Sequence, residues 1–200
     1  WFALFSMWVF TTPAIAHHIY GLPLEDTHSA TYQEAGDWVG IIFGVYNLIS
    51  AIYAFFLPAI AKKVGRKRTH SISLIIGGLG LISVYFAPSP MWLIASMMAV
   101  GVAWASILAM PYAILAGSIP AKKMGVYMGI FNFFIVIPQI LAASILGFFM
   151  RRFFNGDAIW ALVVGGISML IAAATVFIVD DVDSPKKNQI KKEFDDLAKD

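Results

Sequence analysis

The chain has 200 residues, of which 60% are hydrophobic and only 13% charged, whereas an ordinary soluble domain is about a quarter charged. That balance excludes a soluble domain and reads as a polytopic membrane protein. Cysteine is absent, so neither a disulfide framework nor a thiolate metal site can be built; the net charge of +2 says little, because placement matters more than the sum in a bilayer.

The chain opens on Trp1, already inside an apolar run, with no basic segment before it. We therefore expect a fragment of a longer protein. A helix needs roughly 20 apolar residues to cross the hydrocarbon core, and the charge-free runs predict six such spans. They cover residues 1–20, 38–61, 70–87, 91–114, 124–150 and 158–179. Residues 21–37 carry Pro23, Glu25, Asp26, His28, Glu34 and Asp37 and read as a loop. Residues 62–68 form a basic turn. Ala87-Pro88-Ser89-Pro90 separates the third span from the fourth, since paired prolines break helices. Residues 180–200 form a polar tail, in which Ile190, Phe194 and Leu197 recur at helical spacing. They suit either a short interfacial helix or a solvated segment. The predicted fold is all-α: a six-helix membrane domain over 1–179 made of two three-helix repeats.

Six crossings put the tail on the side where the chain starts. Lys62, Lys63, Arg66, Lys67, Arg68, Lys122, Lys123 and the tail lysines fall on that side, and only Arg151 and Arg152 on the other. Basic residues of short loops stay cytoplasmic. The expected placement is a multi-pass protein of the inner or plasma membrane with a cytoplasmic C-terminus. Trp38, Trp92 and Trp160 then open spans from the outer side as an interfacial belt.

The first helix of each repeat holds a proline, Pro13 and Pro111, and the fifth span holds Pro138. Interrupted segments at matching places in two repeats point to a transporter's binding site, although proline is also tolerated in membrane helices. Several polar and aromatic side chains fall inside spans: Trp8 and Thr12 in the first, Tyr46 and Asn47 in the second with Ser50 and Tyr53 beside them, Trp104 in the fourth, Asn132 and Gln139 in the fifth. Amides supply donors and acceptors together, and aromatic rings an apolar face with a polar edge. Together they suit a neutral polyol ligand; singly, each suits a bond between helices. Gly125 and Gly129, like Gly40 and Gly44, are small residues four apart and predict close helix packing.

None of the spans carries Asp, Glu, Lys or Arg at depth. Intramembrane carboxylates are the usual proton relays, so any coupling acid is expected outside this chain. His17 and His18 end the first span and suit either a proton-responsive role or a plain interfacial one. No phosphate-binding loop, HExxH or GxSxG is present, and an enzyme is not expected. No cofactor, metal or nucleic-acid partner is expected either.

The residues resemble the C-terminal half of a major facilitator superfamily transporter, and in particular the sucrose and maltose proton symporters related to the plant sucrose carriers. The likeness lies in Gly125, Gly129 and Asn132 followed by Ile135-Val136-Ile137-Pro138-Gln139, which is similar to the family's eleventh helix. Pro111-Tyr112 resembles the end of its tenth helix and Ile19-Tyr20-Gly21 the end of its seventh. Lys63, Gly65, Arg66 and Lys67 are similar to its basic loop, except that Lys62 stands where the motif has an acid and Pro58 where it has a glycine. The acids that plant members carry near the seventh helix are missing too. The resemblance implies alternating access between two six-helix halves in a lipid bilayer. It implies a sugar substrate, a disaccharide or glucoside such as maltose or sucrose, and a proton as coupling ion. The N-terminal half is the partner. Trp8, Thr12, Tyr46, Asn47, Trp104, Asn132 and Gln139 become pocket candidates; Pro13, Pro111, Pro138, Gly125 and Gly129 would shape gating helices. A facilitator for another small neutral solute and a self-contained six-span channel or structural protein are the alternatives; an aquaporin would show two Asn-Pro-Ala boxes, and none occurs.

Overall fold

The structure is a computed structural model that describes residues 1–181; the tail periodicity at Ile190, Phe194 and Leu197 lies outside the described residues. Within them the chain is all-α, with helices and no strand. The helices are α1 (Phe2–His18), α2 (Ala30–Val64), α3 (Arg66–Ser83), α4 (Leu93–Ser118), α5 (Met124–Leu141), α6 (Gly147–Phe153) and α7 (Ile159–Thr175). A π-helical turn, Ala142–Leu146, joins α5 to α6 without a break.

Short polar signals set the helix ends. Residues 30–37, expected as loop, are the first two turns of α2. Ser29 caps them, its Oγ accepting from the Tyr32 N–H at 3.1 Å, and no proline follows before Trp38. The polar start of α2 therefore projects beyond its apolar stretch. Gly65, at φ +97°, ends α2 and begins α3. That backbone conformation suits glycine alone, so a single residue reverses the chain. Ile119, extended ahead of Pro120, ends α4. The turn after α6 closes with the Gly156 N–H on the Met150 carbonyl at 2.9 Å.

Five stretches are long and apolar enough to cross a membrane: Ala30–Val64, Arg66–Phe86, Pro90–Ser118, Met124–Phe153 and Ile159–Ile178. The 17 residues of α1 rise roughly 25 Å, a little less than the hydrocarbon core of about 30 Å. Its neighbours cover it: Leu4, Met7 and Ile15 are fully buried.

The helices close into a ring. Taking neighbours in turn, α1 packs on α2, α2 on α4, α4 on α3, α3 on α7 and α7 on α1. The core fills that ring with small and medium side chains such as Met97, Val100, Ala103 and Leu162. The α5–α6 rod leans on α1 from outside the ring, and no residue of α5 is buried.

The close approaches are not where the small-residue spacing placed them. A Cβ added at Gly40, Gly44, Gly125 or Gly129 meets nothing within 4 Å. The expectation of close packing at Gly125 and Gly129 is corrected: within this chain both face open space. Tight contacts lie elsewhere: between α3 and α7 a Cβ on Gly78 would stand 2.8 Å from the Gly166 carbonyl oxygen and one on Gly166 2.6 Å from that of Gly78, between α3 and α4 one on Gly77 would collide with Ala103 Cβ, and between α4 and α2 one on Gly101 would stand 2.5 Å from the Tyr46 carbonyl oxygen. The prolines do not interrupt their helices: α1 runs through Pro13, α4 through Pro111 and α5 through Pro138. Pro138 is followed within one turn by the π segment.

Candidate functional site

Three of the seven pocket candidates meet where α1, α2 and α4 adjoin. The Trp8 indole N–H donates to Tyr46 Oη at 3.1 Å. The Trp8 and Trp104 rings stand edge to face with centroids 5.6 Å apart, and Trp1 meets Trp104 the same way at 5.7 Å. Phe43 closes on Tyr46 at 5.4 Å. Tyr46 is buried, while Trp8 and Trp104 are half-buried. The Tyr46 hydroxyl accepts from Trp8 and keeps its own proton for a further acceptor. The result is an uncharged aromatic wall with one polar edge, suited to stacking against a ring-shaped, hydroxylated ligand.

The other candidates stand apart. Thr12, one turn along α1, is half-buried against the start of α2, where its Cγ2 is the atom nearest Gly36. Asn47 is exposed and returns its amide to its own helix, donating to the Phe43 carbonyl at 2.8 Å. Asn132 is exposed and Gln139 half-buried on α5; no hydrogen bond joins either to the tryptophan cluster. Of the gating candidates, Pro111 lines a cavity of about 380 Å³ with His70, Ser118, Phe131 and Asp180. A cavity of about 620 Å³ lies at the opposite end of the bundle, lined by His17, His18, Asn155, Asp157 and Trp160 among others. An apolar groove of about 700 Å³ runs between α3 and α4. None of these three is walled by the seven pocket candidates.

The basic loop is anchored rather than loose. Lys67 Nζ donates to the carbonyls of Phe177 and Val179 just past α7, where the negative end of a helix dipole favours a cation. Arg66 Nη1 donates to the Ala113 carbonyl at 3.2 Å and forms an ion pair with the buried Asp181 at 3.6 Å. Lys63 is exposed. Arg66 is thus paired with an acid from beyond α7, and the start of α3 and the ends of α4 and α7 are gathered at one end of the bundle. At the other end His18 Nε2 meets the Tyr85 carbonyl at 3.0 Å and His17 Nδ1 the Leu22 carbonyl at 3.1 Å. Each bond needs an N–H on that ring nitrogen, because a carbonyl only accepts. Trp38 Nε1 donates to the Pro90 carbonyl at 2.8 Å at this same end.

Sequence reasoning missed the polar seam of α3. His70 is buried, and its Nδ1 lies 2.9 Å from Ser106 Oγ of α4. Ser71 Oγ donates to the Ala173 carbonyl of α7 at 2.9 Å, Tyr53 Oη meets Ser73 Oγ at 3.1 Å, and Ser83 meets Ser96 at 2.7 Å. The sequence places His70 at the start of the third predicted span, beside the basic turn, and assigns it no role. Its helical spacing to Ser73 and Gly77 is the signal that would have put it on one face with the small and polar residues of that span.

Among the described residues no cluster of His, Cys, Asp or Glu could hold a metal ion. A family profile described as Major Facilitator Superfamily matches residues 1–199. No curated protein matches the chain, and no solved structure does. A family match over nearly the whole length, on an all-α chain of long apolar helices, is sufficient: the chain belongs to the Major Facilitator Superfamily, whose members are membrane transporters of small solutes and not enzymes.

Proposed function

We propose that this chain is the C-terminal half of a proton-coupled sugar transporter working by alternating access, with a disaccharide or glucoside such as maltose or sucrose as substrate. The observation that carries the reading is the junction of Trp8, Tyr46 and Trp104, an uncharged aromatic wall contributed by three helices. Such walls bind the apolar faces of sugar rings, and the phenol and indole edges bind hydroxyls. Thr12, Asn47, Asn132 and Gln139 add hydrogen-bonding groups once the second half encloses the site. The exposed face of α5, with Phe133, Phe134, Ile137 and Ile140, is the surface offered to that half. The Gly65–Lys67 end is assigned to the cytoplasm, because basic residues of short loops are retained there.

The test is uptake of labelled maltose and sucrose by cells making the full transporter, with and without a protonophore. Uptake that the protonophore abolishes, and that Trp8→Ala or Asn132→Ala lowers by at least about tenfold, supports the proposal. Uptake that equilibrates despite the protonophore supports a facilitator instead. No uptake of either sugar by protein located in the membrane removes these substrates.

A further inference from the structure

We propose that the cavity of about 620 Å³ at the end of the bundle opposite the basic loop is a binding site for a neutral, polyhydroxylated molecule such as a sugar, separate from the tryptophan junction. Its size falls in the range of about 300–1,000 Å³ usual for small-molecule sites, which set a few polar groups in an apolar wall. Three segments build it: the end of α1 with His17 and His18, the turn after α6 with Phe154, Asn155 and Asp157, and the start of α7 with Trp160. The apolar wall is a stack of rings. Phe154 lies on Trp160 with centroids 5.0 Å apart and planes 20° from parallel, and Tyr85 braces Trp160 at 5.2 Å.

The polar groups are each fixed by the protein on one side and left open on the other. His17 donates Nδ1–H to the Leu22 carbonyl, and His18 donates Nε2–H to the Tyr85 carbonyl. In each neutral ring the second nitrogen keeps a lone pair, which has no hydrogen-bond partner among the described residues. Asp157 Oδ1 accepts from the Ile159 N–H at 3.1 Å, which holds the carboxylate at the start of α7; Oδ2 is not engaged among the described residues. Asn155 is exposed, and its amide makes no hydrogen bond among them either. The turn that carries it is closed by the Gly156 N–H on the Met150 carbonyl and the Asp157 N–H on the Phe154 carbonyl, each at 2.9 Å. The walls are therefore set before a ligand arrives, which lowers the cost of ordering on binding.

The balance of donors and acceptors selects the ligand. Two imidazole nitrogens and a carboxylate oxygen accept, and the Asn155 amide both donates and accepts. A molecule with several hydroxyls satisfies all four, because each hydroxyl can donate and accept, and the apolar face of a sugar ring packs on aromatic rings. An organic cation is the competing ligand where acceptors stand beside aromatic rings. Charge decides against it. Asp157 is the one acid among the described walls, and Arg152 holds its guanidinium 5.8 Å from the ring centre of Phe153, another wall. That positive charge at the rim repels a second cation and leaves a neutral molecule unaffected. None of these walls belongs to the Trp8–Tyr46–Trp104 junction, so the site stands apart from the one that carries the transport reading.

Leu24 is an exposed wall of this cavity and the chain has no cysteine. Leu24→Cys in the full transporter, with any cysteine elsewhere replaced, therefore gives a reporter for a water-soluble maleimide on detergent-purified protein. Maltose or sucrose at several times its Kd is expected to slow labelling at least about threefold. Asp157→Asn keeps an acceptor for the Ile159 N–H and turns the other edge of the side chain into a donor, so about tenfold more sugar is expected to be needed for the same protection. Asn155→Gly keeps the left-handed backbone found there, at φ +52°, and removes the amide, with an effect in the same direction. Asn132→Ala is expected to be protected like the parent. Absence of protection by either sugar overturns the proposal. So does protection undiminished in Asp157→Asn or, where that protein fails to reach the membrane, in Asn155→Gly. Protection by tetramethylammonium but by neither sugar overturns it in favour of a cation site, and protection lost in Asn132→Ala overturns it by placing the effect at the transport site. Labelling is read without transport, so failure of sugar uptake leaves this result unaffected.

Discussion

Two helices of equal length, α3 and α5, are treated in opposite ways by the fold. Both have 18 residues. In α3, which carries a histidine, three serines, a threonine and three glycines, Thr69, His70, Ser71, Ser73, Leu74, Gly77, Gly78, Gly80 and Leu81 are buried. In α5, the more apolar of the two, nothing is buried. In water the order would be reversed. In a bilayer the lipid tails are as apolar as leucine, so hydrophobicity does not sort helices inward; close backbone approach and hydrogen bonds between helices do. The small and polar residues of α3 let it sit against α4 and α7, while the bulky residues of α5 are left for lipid or for a partner outside this chain.

The comparison breaks most readily at glycine. Gly78→Leu would push a side chain into the Gly166 carbonyl across the α3–α7 contact, costing about 3 kcal/mol or more. The expected result is loss of folded protein from the membrane fraction. Gly129→Leu has open space and is expected to shift stability by less than about 0.5 kcal/mol. Thermal aggregation midpoints in detergent would measure both, and equal losses would abolish the distinction between the helices.

Next in size is the tryptophan junction. Trp104→Ala removes edge-to-face contacts with both Trp1 and Trp8, each worth about 0.5–1.5 kcal/mol, so a destabilisation of about 1–3 kcal/mol is expected from the same assay. Asn132→Ala, on the exposed face of α5, should leave stability unchanged and be felt only in transport. A stability loss at Asn132 matching that at Trp104 would show that α5 contributes to the packing of this half.

These contrasts mark what was legible in the sequence. The helical class and the apolar runs follow from charge segregation, which membrane solvation enforces. Trp8, Tyr46 and Trp104 could be nominated because large polar-edged rings at depth are uncommon. Gly125 and Gly129 misled, since small-residue spacing identifies a face that permits close approach and not the helix that makes it. Gly78 and Gly166, which do make a close approach, lie on two helices far apart in sequence, and no local pattern joins them. His70 falls inside the third predicted span, but no local pattern says that its partner is Ser106 of another helix; the start of α2 was hidden by the polarity of residues 30–37, although Ser29 and Asp26 were there to be read as capping residues.

A smaller effect tests the seam itself. Ser71→Ala removes the bond to the Ala173 carbonyl, and side-chain bonds between membrane helices average about 0.6 kcal/mol. A matching small drop in midpoint is expected, whereas Asn47→Ala, which loses only a bond within its own helix, should show none. A larger loss at Asn47 than at Ser71 would mean that bonds between helices are not what hold α3 inward.

The smallest effect lies where the bundle meets water, at the cap of α2. Asp26 Oδ1 accepts from the Ser29 N–H at 3.0 Å and from the His28 N–H at 3.3 Å, and Ser29 in turn caps α2. The hydrogen bonds from Ser29, its side chain first and its backbone next, hold the Asp26 carboxyl below the usual carboxylate range. A depressed folded pKa gives stabilisation that is complete above the unfolded value of about 3.9 and fades as pH falls through the folded one. Hydrogen-exchange protection of the first turn of α2 should therefore decline in acid, and Asp26→Asn should give lower protection that no longer varies with pH. An undiminished acid loss in Asp26→Asn would show that the Asp26 carboxyl is not what holds the cap. The comparison with α3 would then sharpen, because in the water-facing cap a single bonded carboxylate would count for little, while in the seam each bond is retained against a solvent that cannot replace it.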